Sequence, residues 1–152
     1  MRIEVLYPEI CNLFGELGNI RCLKESMPEA EIIETHIKDK PRFLDEDVNL
    51  VYMGTMTERS QIMVIEALKP YKDRIKDRIH EGLPMLVTGN AIEVFGKDII
   101  EDDVKVTEGI GLFNFESRRS SIHRVNHLYV GDFKVSDTEV IKVAGFKSLF
   151  GY

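Results

Sequence analysis

The sequence predicts an α/β fold: a mainly parallel sheet flanked by helices, with antiparallel strands near the carboxyl terminus. Three observations predict it. Short apolar or β-branched runs at residues 2–7, 31–37, 48–53 and 85–87 alternate with helical patterns over the first 96 residues. That order is how a parallel sheet with helical crossovers is written. The run 85–87 is too short for a helix and reads as a buried parallel strand. After Gly96 the character changes, and residues 122–130 and 138–144 alternate between turn signals at Gly131-Asp132 and Ser136-Asp137.

Taken in order, residues 2–7 (R-I-E-V-L-Y) set Ile3, Val5 and Tyr7 against polar neighbours and form the first strand. Residues 8–19 hold two glycines and two asparagines and read as a structured loop at that strand's carboxyl end. Asn19 is placed to cap a helix over residues 20–26, with Ile20 and Leu23 on its buried side. Met27-Pro28 ends it. Residues 31–37 (E-I-I-E-T-H-I) are the second strand, and a charged connector over 38–47 leads to the third, 48–53 (V-N-L-V-Y-M). Thr57 is an N-cap for a helix over 61–68, broken at Pro70 from another over 71–81, and Gly82 is its C-cap. The fourth strand, 85–87, stops at Thr88-Gly89-Asn90, and a short helical segment puts Ile92, Val94 and Phe95 inward before Gly96. Residues 97–109 are acid-rich and read as a connector with one strand, followed by an apolar stretch containing Gly111.

With 152 residues the chain has the length of one domain with its own core. A net charge of −6 argues against nucleic acid as a partner. No apolar run is long enough for a membrane span. Cys11 and Cys22 form no CxxC pair, so a disulfide framework is not expected; both read as buried thiols of a cytoplasmic protein. No metal is expected. His123 and His127 would stand about 13 Å apart along one strand face, and His80 suits a helix C-terminus without a ligand. The run Arg118-Arg119, with Arg124, is either a solvated loop or an anion or partner contact.

In an open α/β sheet, ligands bind at the carboxyl ends of the strands. That rim receives the loop 8–19, Gly54-Thr55-Met56 and Thr88-Gly89-Asn90. A tight turn from strand to helix is where several hydrolases present a nucleophile, yet this turn carries no cysteine and no serine. Backbone N–H groups of the two turns are placed to converge as an oxyanion hole. Glycine and asparagine also suit ordinary βα turns.

The run Leu6-Tyr7-Pro8 followed by Asn12-Leu13-Phe14-Gly15-Glu16-Leu17-Gly18-Asn19 resembles the opening of class I glutamine amidotransferases. The likeness is to their cobyric-acid-synthase-like branch, and within it to glutaminase subunits of lipid II isoglutaminyl synthases. Gly54, Glu58, Arg59 and Gln61 match that branch's G-G-G-Q-D-R-E-Q, with Glu58 standing for Asp. Residues 82–96 resemble its G-x-P-x-L-A-V-C-G-G-Y-Q-L-L-G, residues 109–113 its G-x-G-L-L, and Gly145-Phe146 the start of its G-F-E-N-H. The resemblance implies a flavodoxin-like, amidotransferase-like domain that is shortened at its carboxyl end. It also implies departures. The nucleophilic cysteine falls at Gly89, or at Thr88 if the alignment slips by one. Two oxyanion-loop glycines become Thr55 and Met56, and the tyrosine and glutamine after the nucleophile become Ile92 and Glu93. The histidine of G-F-E-N-H becomes Leu149 or is lost, and the branch's catalytic histidine lies in a further tail.

Glutamine hydrolysis of this kind needs a thiolate to form a thioester and a histidine to activate it. The expectation is therefore a domain without glutaminase activity and without cofactor, a pseudoenzyme acting in binding or assembly. By resemblance its partner is a Mur-ligase-like subunit that amidates a cell-wall precursor; the alternative is a homodimer through the carboxyl-terminal strands, whose edges invite cover. The expected binding rim comprises Asn12, Gly15, Asn19, Gly54, Thr55, Glu58, Arg59, Thr88, Asn90 and Glu93. A competing reading is a hydrolase or transferase using a non-cysteine site on this rim, with Glu93 as base. The closing Phe150-Gly151-Tyr152 is no obvious stop, and the sequence is open to being part of a longer gene product.

Overall fold

Four strands pair in parallel in the order β2-β1-β3-β4. They are β1 (Arg2–Leu6), β2 (Glu31–Thr35), β3 (Leu50–Met53) and β4 (Met85–Val87). The structure is a computed structural model and describes residues 1–149; Phe150, Gly151 and Tyr152 lie outside the described residues. Helix α1 (Leu17–Ser26) connects β1 to β2, while α2 (Glu58–Leu68) and α3 (Lys72–His80) connect β3 to β4 across a 3-10 turn at Lys69–Tyr71. The expected parallel sheet with flanking helices is present.

The sheet centre is apolar on both faces because β1 and β3 are covered on both. Ile3, Val5, Leu6, Val51, Tyr52 and Met53 are buried, and α2 and α3 add Val64, Ile65, Leu68 and Ile75. One charge lies in this centre. Glu4 is wholly buried, and its carboxylate accepts from Thr35 Oγ1 at 2.5 Å and from the backbone N–H of Arg42 and Phe43 at 2.7 and 2.6 Å. Glu4 thereby holds the 3-10 turn Arg42–Leu44 against the sheet, inside the stretch expected to be an open connector.

Thr57 caps α2 as expected, its hydroxyl accepting from Ser60 N at 3.1 Å. Gly82 ends α3 at φ +91°, a value that favours glycine. Three expectations are corrected. Asn19 is not an N-cap: α1 begins at Leu17, and the side chain that serves its free N–H groups is Asn12, whose Oδ1 accepts from Leu17 N at 3.1 Å. β4 is not a buried strand but an edge. Leu86 is 44% exposed, because no described strand pairs on its far side. The segment after β4 is a 3-10 helix, Gly89–Phe95, whose period of three buries Ala91 and Val94 together and leaves Ile92 exposed.

Beyond Gly96 a second sheet runs β6-β5-β7, from β5 (Asp98–Glu101), β6 (Val104–Glu108) and β7 (Glu116–Arg119). The acid-rich connector thus holds a hairpin, turned by Asp102 and Asp103 at φ +47° and +65°. Residues 109–112 lie along 94–96, with Ile110 N donating to Val94 O and Leu112 N to Phe95 O. Gly109 fits there because a Cβ would meet Gly96 O at 2.3 Å. Finally β8 (Val125–Lys134) and β9 (Val140–Leu149) form an antiparallel ribbon; two strands were expected here, but Gly131-Asp132, expected as a turn, lies inside β8 paired with Val143 and Lys142.

Candidate functional site

Three loops build the rim at the carboxyl ends of β1, β3 and β4. Tyr7 turns the chain out of β1 at φ +56°, and its carbonyl accepts from Ile10 N and Cys11 N, winding the start of the first loop. The loop then returns over Gly54. A Cβ there would sit 2.4 Å from Cys11 O and 2.7 Å from Glu16 Cβ, so glycine is what permits the close approach. Leu13 N donates to Thr55 O at 3.0 Å and fastens the first loop to the second.

At the junction lies a carboxylate that the sequence reading passed over. Glu16 is only 9% exposed. Its Oε2 accepts from Asn19 Nδ2 at 3.0 Å, Thr88 Oγ1 at 3.2 Å and Tyr52 OH at 3.3 Å. Asn19 also donates to Tyr52 OH at 2.9 Å. Of these four residues, Asn19 and Thr88 were expected at the rim, whereas Glu16 and Tyr52 were not. Glu16 stands within the loop motif; Tyr52 had only its place, an aromatic residue one position before the carboxyl end of a central strand.

One donor of the expected oxyanion hole, the Met56 N–H, is already taken. Asn90 folds its amide back onto Met56, with Oδ1 accepting from Met56 N at 3.1 Å and Nδ2 donating to Met56 O at 2.7 Å. The Met56 N–H is therefore consumed by a side chain, and Met56 itself is buried. Thr55 Oγ1 donates to the carbonyl of Thr88 at 3.3 Å. The same threonine stands over Gly89: a Cβ on Gly89 would lie 2.3 Å from Thr55 Oγ1 and 3.2 Å from its Cγ2. Gly89 has φ +55°.

Glu93 does not present its carboxylate to the rim as a base. It accepts from Gln61 Nε2 at 2.9 Å and lies 3.8 Å from the Arg119 guanidinium. Arg119 in turn donates to Gln61 Oε1 at 2.9 Å and to Glu101 at 2.6 Å. This corrects both readings of the Arg118-Arg119 pair for its second member: Arg119 is buried inside an internal polar network, neither solvated nor free for an anion. Arg118, on the opposite face of β7, is exposed beside Asp103 and Glu116. Gln61 is fully engaged, since it also donates to Asn90 O at 2.9 Å. Glu58 and Arg59 occupy the exposed first turn of α2 and join none of these bonds. Gly15, at φ +86°, shapes the first loop with open space around it.

Neither cysteine lies at the turn after β4. Cys11 is buried under the first loop, and burial pushes its thiol up to about 12. Cys22 is exposed on α1, not buried as expected, because that helix buries none of its residues fully. A thiol reagent should therefore label one cysteine at once and the second only on unfolding. The sign of the pH effect follows. Folding raises the Cys11 thiol from 9.0, so its contribution is intact below about pH 9 and fades as pH rises toward 12. Burial raises the Tyr7 phenol as well, and its hydroxyl has no hydrogen-bond partner among the described residues. Urea midpoints should fall from about pH 9 upward, and less steeply in Cys11→Ala; equal slopes in the two proteins would count against this account.

The parallel sheet, the first loop and the turn after β4 form an α/β domain, and its sequence is distantly similar to a glutamine amidotransferase subunit. The supporting likeness is to the Staphylococcus aureus (strain N315) protein described as lipid II isoglutaminyl synthase (glutamine-hydrolyzing) subunit GatD. Identity is 23% over 139 residues, which is 90% of this chain and 55% of that protein. The chain thus spans about half the length of the curated relative it matches. No family model matches the chain.

Proposed function

We propose that this is an amidotransferase-like domain of the cobyric-acid-synthase-like branch that has no glutaminase activity and serves as a binding or assembly subunit. One observation carries the reading. Gly89 holds the positive φ of a residue at the tip of a strand-to-helix turn, the strained place where related architectures present a nucleophile, and it bears no side chain. Of the two positions the resemblance allows, the reading takes Gly89 rather than Thr88, whose backbone is extended and whose hydroxyl is directed to Glu16. The space a nucleophile would occupy is filled by Thr55. In the resembled motif this second position is glycine. Side-chain volume has in effect moved from the nucleophile position to the facing loop, which favours an adapted, closed rim over an enzyme that merely lacks one atom.

The same closure weighs against a hydrolase or transferase using other residues of the rim. Its base, Glu93, is held by Gln61 and Arg119, and the donor it would need at Met56 is taken by Asn90. The polar side chains Asn19, Thr88 and Asn90 hold the three loops together, with Gly54 permitting their close approach and Asn12 fixing the start of α1. The relative is by its name one subunit of a synthase, so a Mur-ligase-like subunit is one partner for this chain; a second copy, met through the carboxyl-terminal strands, is the other. Two free cysteines suit a reducing compartment, and the reading places the protein in a bacterial cytoplasm.

The test is ammonia release from glutamine by the purified protein, alone and with a Mur-ligase-like subunit. None above background is expected in either case. Ammonia above background that disappears in Thr88→Ala would overturn the reading and give the turn a working nucleophile.

A further inference from the structure

We infer that Glu16 holds an open place for a primary ammonium group on an alkyl stem, carried by a ligand or partner of this chain. The inference deepens the binding role proposed above and rests on it. Two carboxylates are buried among the described residues, Glu4 and Glu16. Glu4 is served by two backbone N–H groups and a hydroxyl. Glu16 has only neutral side-chain donors, Asn19, Thr88 and Tyr52, and all three reach the same oxygen, Oε2. Glu93 and Glu101, by contrast, share the cation of Arg119. A buried carboxylate is costly unless a positive group meets it.

The second oxygen of Glu16, Oε1, accepts no bond from a described residue. It is not sealed off either. The buried side-chain polar atoms without a partner among the described residues are Tyr7 OH and Arg78 Nε, so Oε1 keeps access to solvent. Its position is where an open α/β sheet takes its ligands. Glu16 joins the first loop to Tyr52 of β3 and to Thr88 after β4, at the carboxyl ends of the strands.

One free oxygen selects the occupant. A divalent metal needs several ligands, and no group of three acidic, histidine or cysteine side chains gathers among the described residues. A guanidinium is held by a fork of both carboxylate oxygens, and Oε2 already takes three donors. A compact ammonium makes its contact with one oxygen and turns its remaining donors to water. The stem has apolar surface to follow. Leu13, Phe14 and Leu17 flank Glu16 in the chain and are 43%, 73% and 44% exposed. Alkylammonium chains lay their methylenes on such surface while the charged head reaches its partner. A lysine of a partner protein and a free alkylamine share this chemistry.

The experiment titrates n-butylammonium chloride, into tens of millimolar, against the isotope-labelled full chain and follows amide resonances by NMR. The expected result is a saturable shift centred on the Asn19 side-chain amide and the amides of the first loop. Tetramethylammonium chloride at the same ionic strength has no N–H to donate and should leave them in place. Binding should weaken at least about tenfold in Glu16→Gln, the loss of one hydrogen bond to a charged group. Glu25→Gln, at an exposed carboxylate of α1, should bind as the wild type does. Protection of Cys11 from a thiol reagent shows whether Glu16→Gln keeps the first loop in place; if it does not, the two ammonium ions compared on the wild type decide. No saturable shift in the wild type, or the same shift with tetramethylammonium, overturns the site. A capped tripeptide with a central lysine that binds more tightly than n-butylammonium assigns the site to a protein partner, and one that binds less tightly assigns it to a free amine. Ammonia release from glutamine is measured on the same protein. Hydrolysis would defeat the proposed loss of activity and leave the ammonium site standing, whereas failed binding would do the reverse.

Discussion

Gly89→Cys puts a thiol at the tip of the turn, and the expected result is a less stable protein that releases no ammonia. Two costs add. A residue with a Cβ must adopt φ +55°, which only glycine takes without strain. That Cβ also falls 2.3 Å from Thr55 Oγ1, so the threonine must leave its bond to the Thr88 carbonyl. Together these predict a loss of about 2–4 kcal/mol in urea unfolding. Thr55→Gly should relieve the steric part. The double variant Thr55→Gly/Gly89→Cys is then more stable than the sum of the single changes by about 1–2 kcal/mol, the signature of two residues sharing one volume. Neither variant gains turnover, because a thiol without a base to activate it does not complete the thioester route. A Gly89→Cys protein as stable as wild type would show that the loop yields freely and that Thr55 is no plug.

The same pair of residues marks the limit of what sequence can convey. The absence of a thiol at the turn is legible by inspection. That the facing Thr55 lies against Gly89 is not, because residues 55 and 89 meet only through the pairing of β3 with β4. The parallel sheet was legible from two patterns: β3, buried at Val51 to Met53, is a mostly apolar run, and β1 sets Ile3, Val5 and Tyr7 against polar neighbours. β4 misled for a related reason. Its three apolar residues look like a central strand, but a strand's burial depends on what lies beside it, and the described structure leaves that side open. Asn12 rather than Asn19 serves the start of α1 because the helix begins at Leu17, three residues before its apolar pattern does. Glu16 was hidden by its own motif, in which an acid reads as solvated until Tyr52 and Thr88 are brought to it by two other strands.

Arg118 and Arg119 give the sharpest contrast and the second large effect. In sequence they are one basic dipeptide. On β7 the two-residue period turns them to opposite faces, and only Arg119 is buried. Among the described residues, its guanidinium is the one cation bonded or ion-paired to Gln61, Glu93 and Glu101. Replacing it with an apolar residue of similar length, Arg119→Met, leaves Glu93, whose side chain is only 12% exposed, without its cation and orphans Gln61 Oε1. Breaking a buried pair by removing one partner costs roughly 3–5 kcal/mol. Glu101 is a third exposed, so part of its share returns to water, and about 3 kcal/mol is the expected loss in urea unfolding. Arg118→Met should change stability by less than about 0.5 kcal/mol, because its pairs with Asp103 and Glu116 are exposed and long. Adding Glu93→Gln to Arg119→Met should recover part of the loss by removing the uncompensated charge. The comparison also reports on architecture. Arg119 lies on the second sheet, while Gln61 and, through it, the Asn90 carbonyl belong to the rim, so the network ties β7 to the turn after β4. If Arg119→Met unfolds the rim, Cys11 beneath the first loop should become reactive to a thiol reagent under native conditions, and Arg118→Met should leave it protected. Equal stability and equal protection in the two variants would mean that the buried network does not hold the rim, and that the first sheet alone fixes the loops.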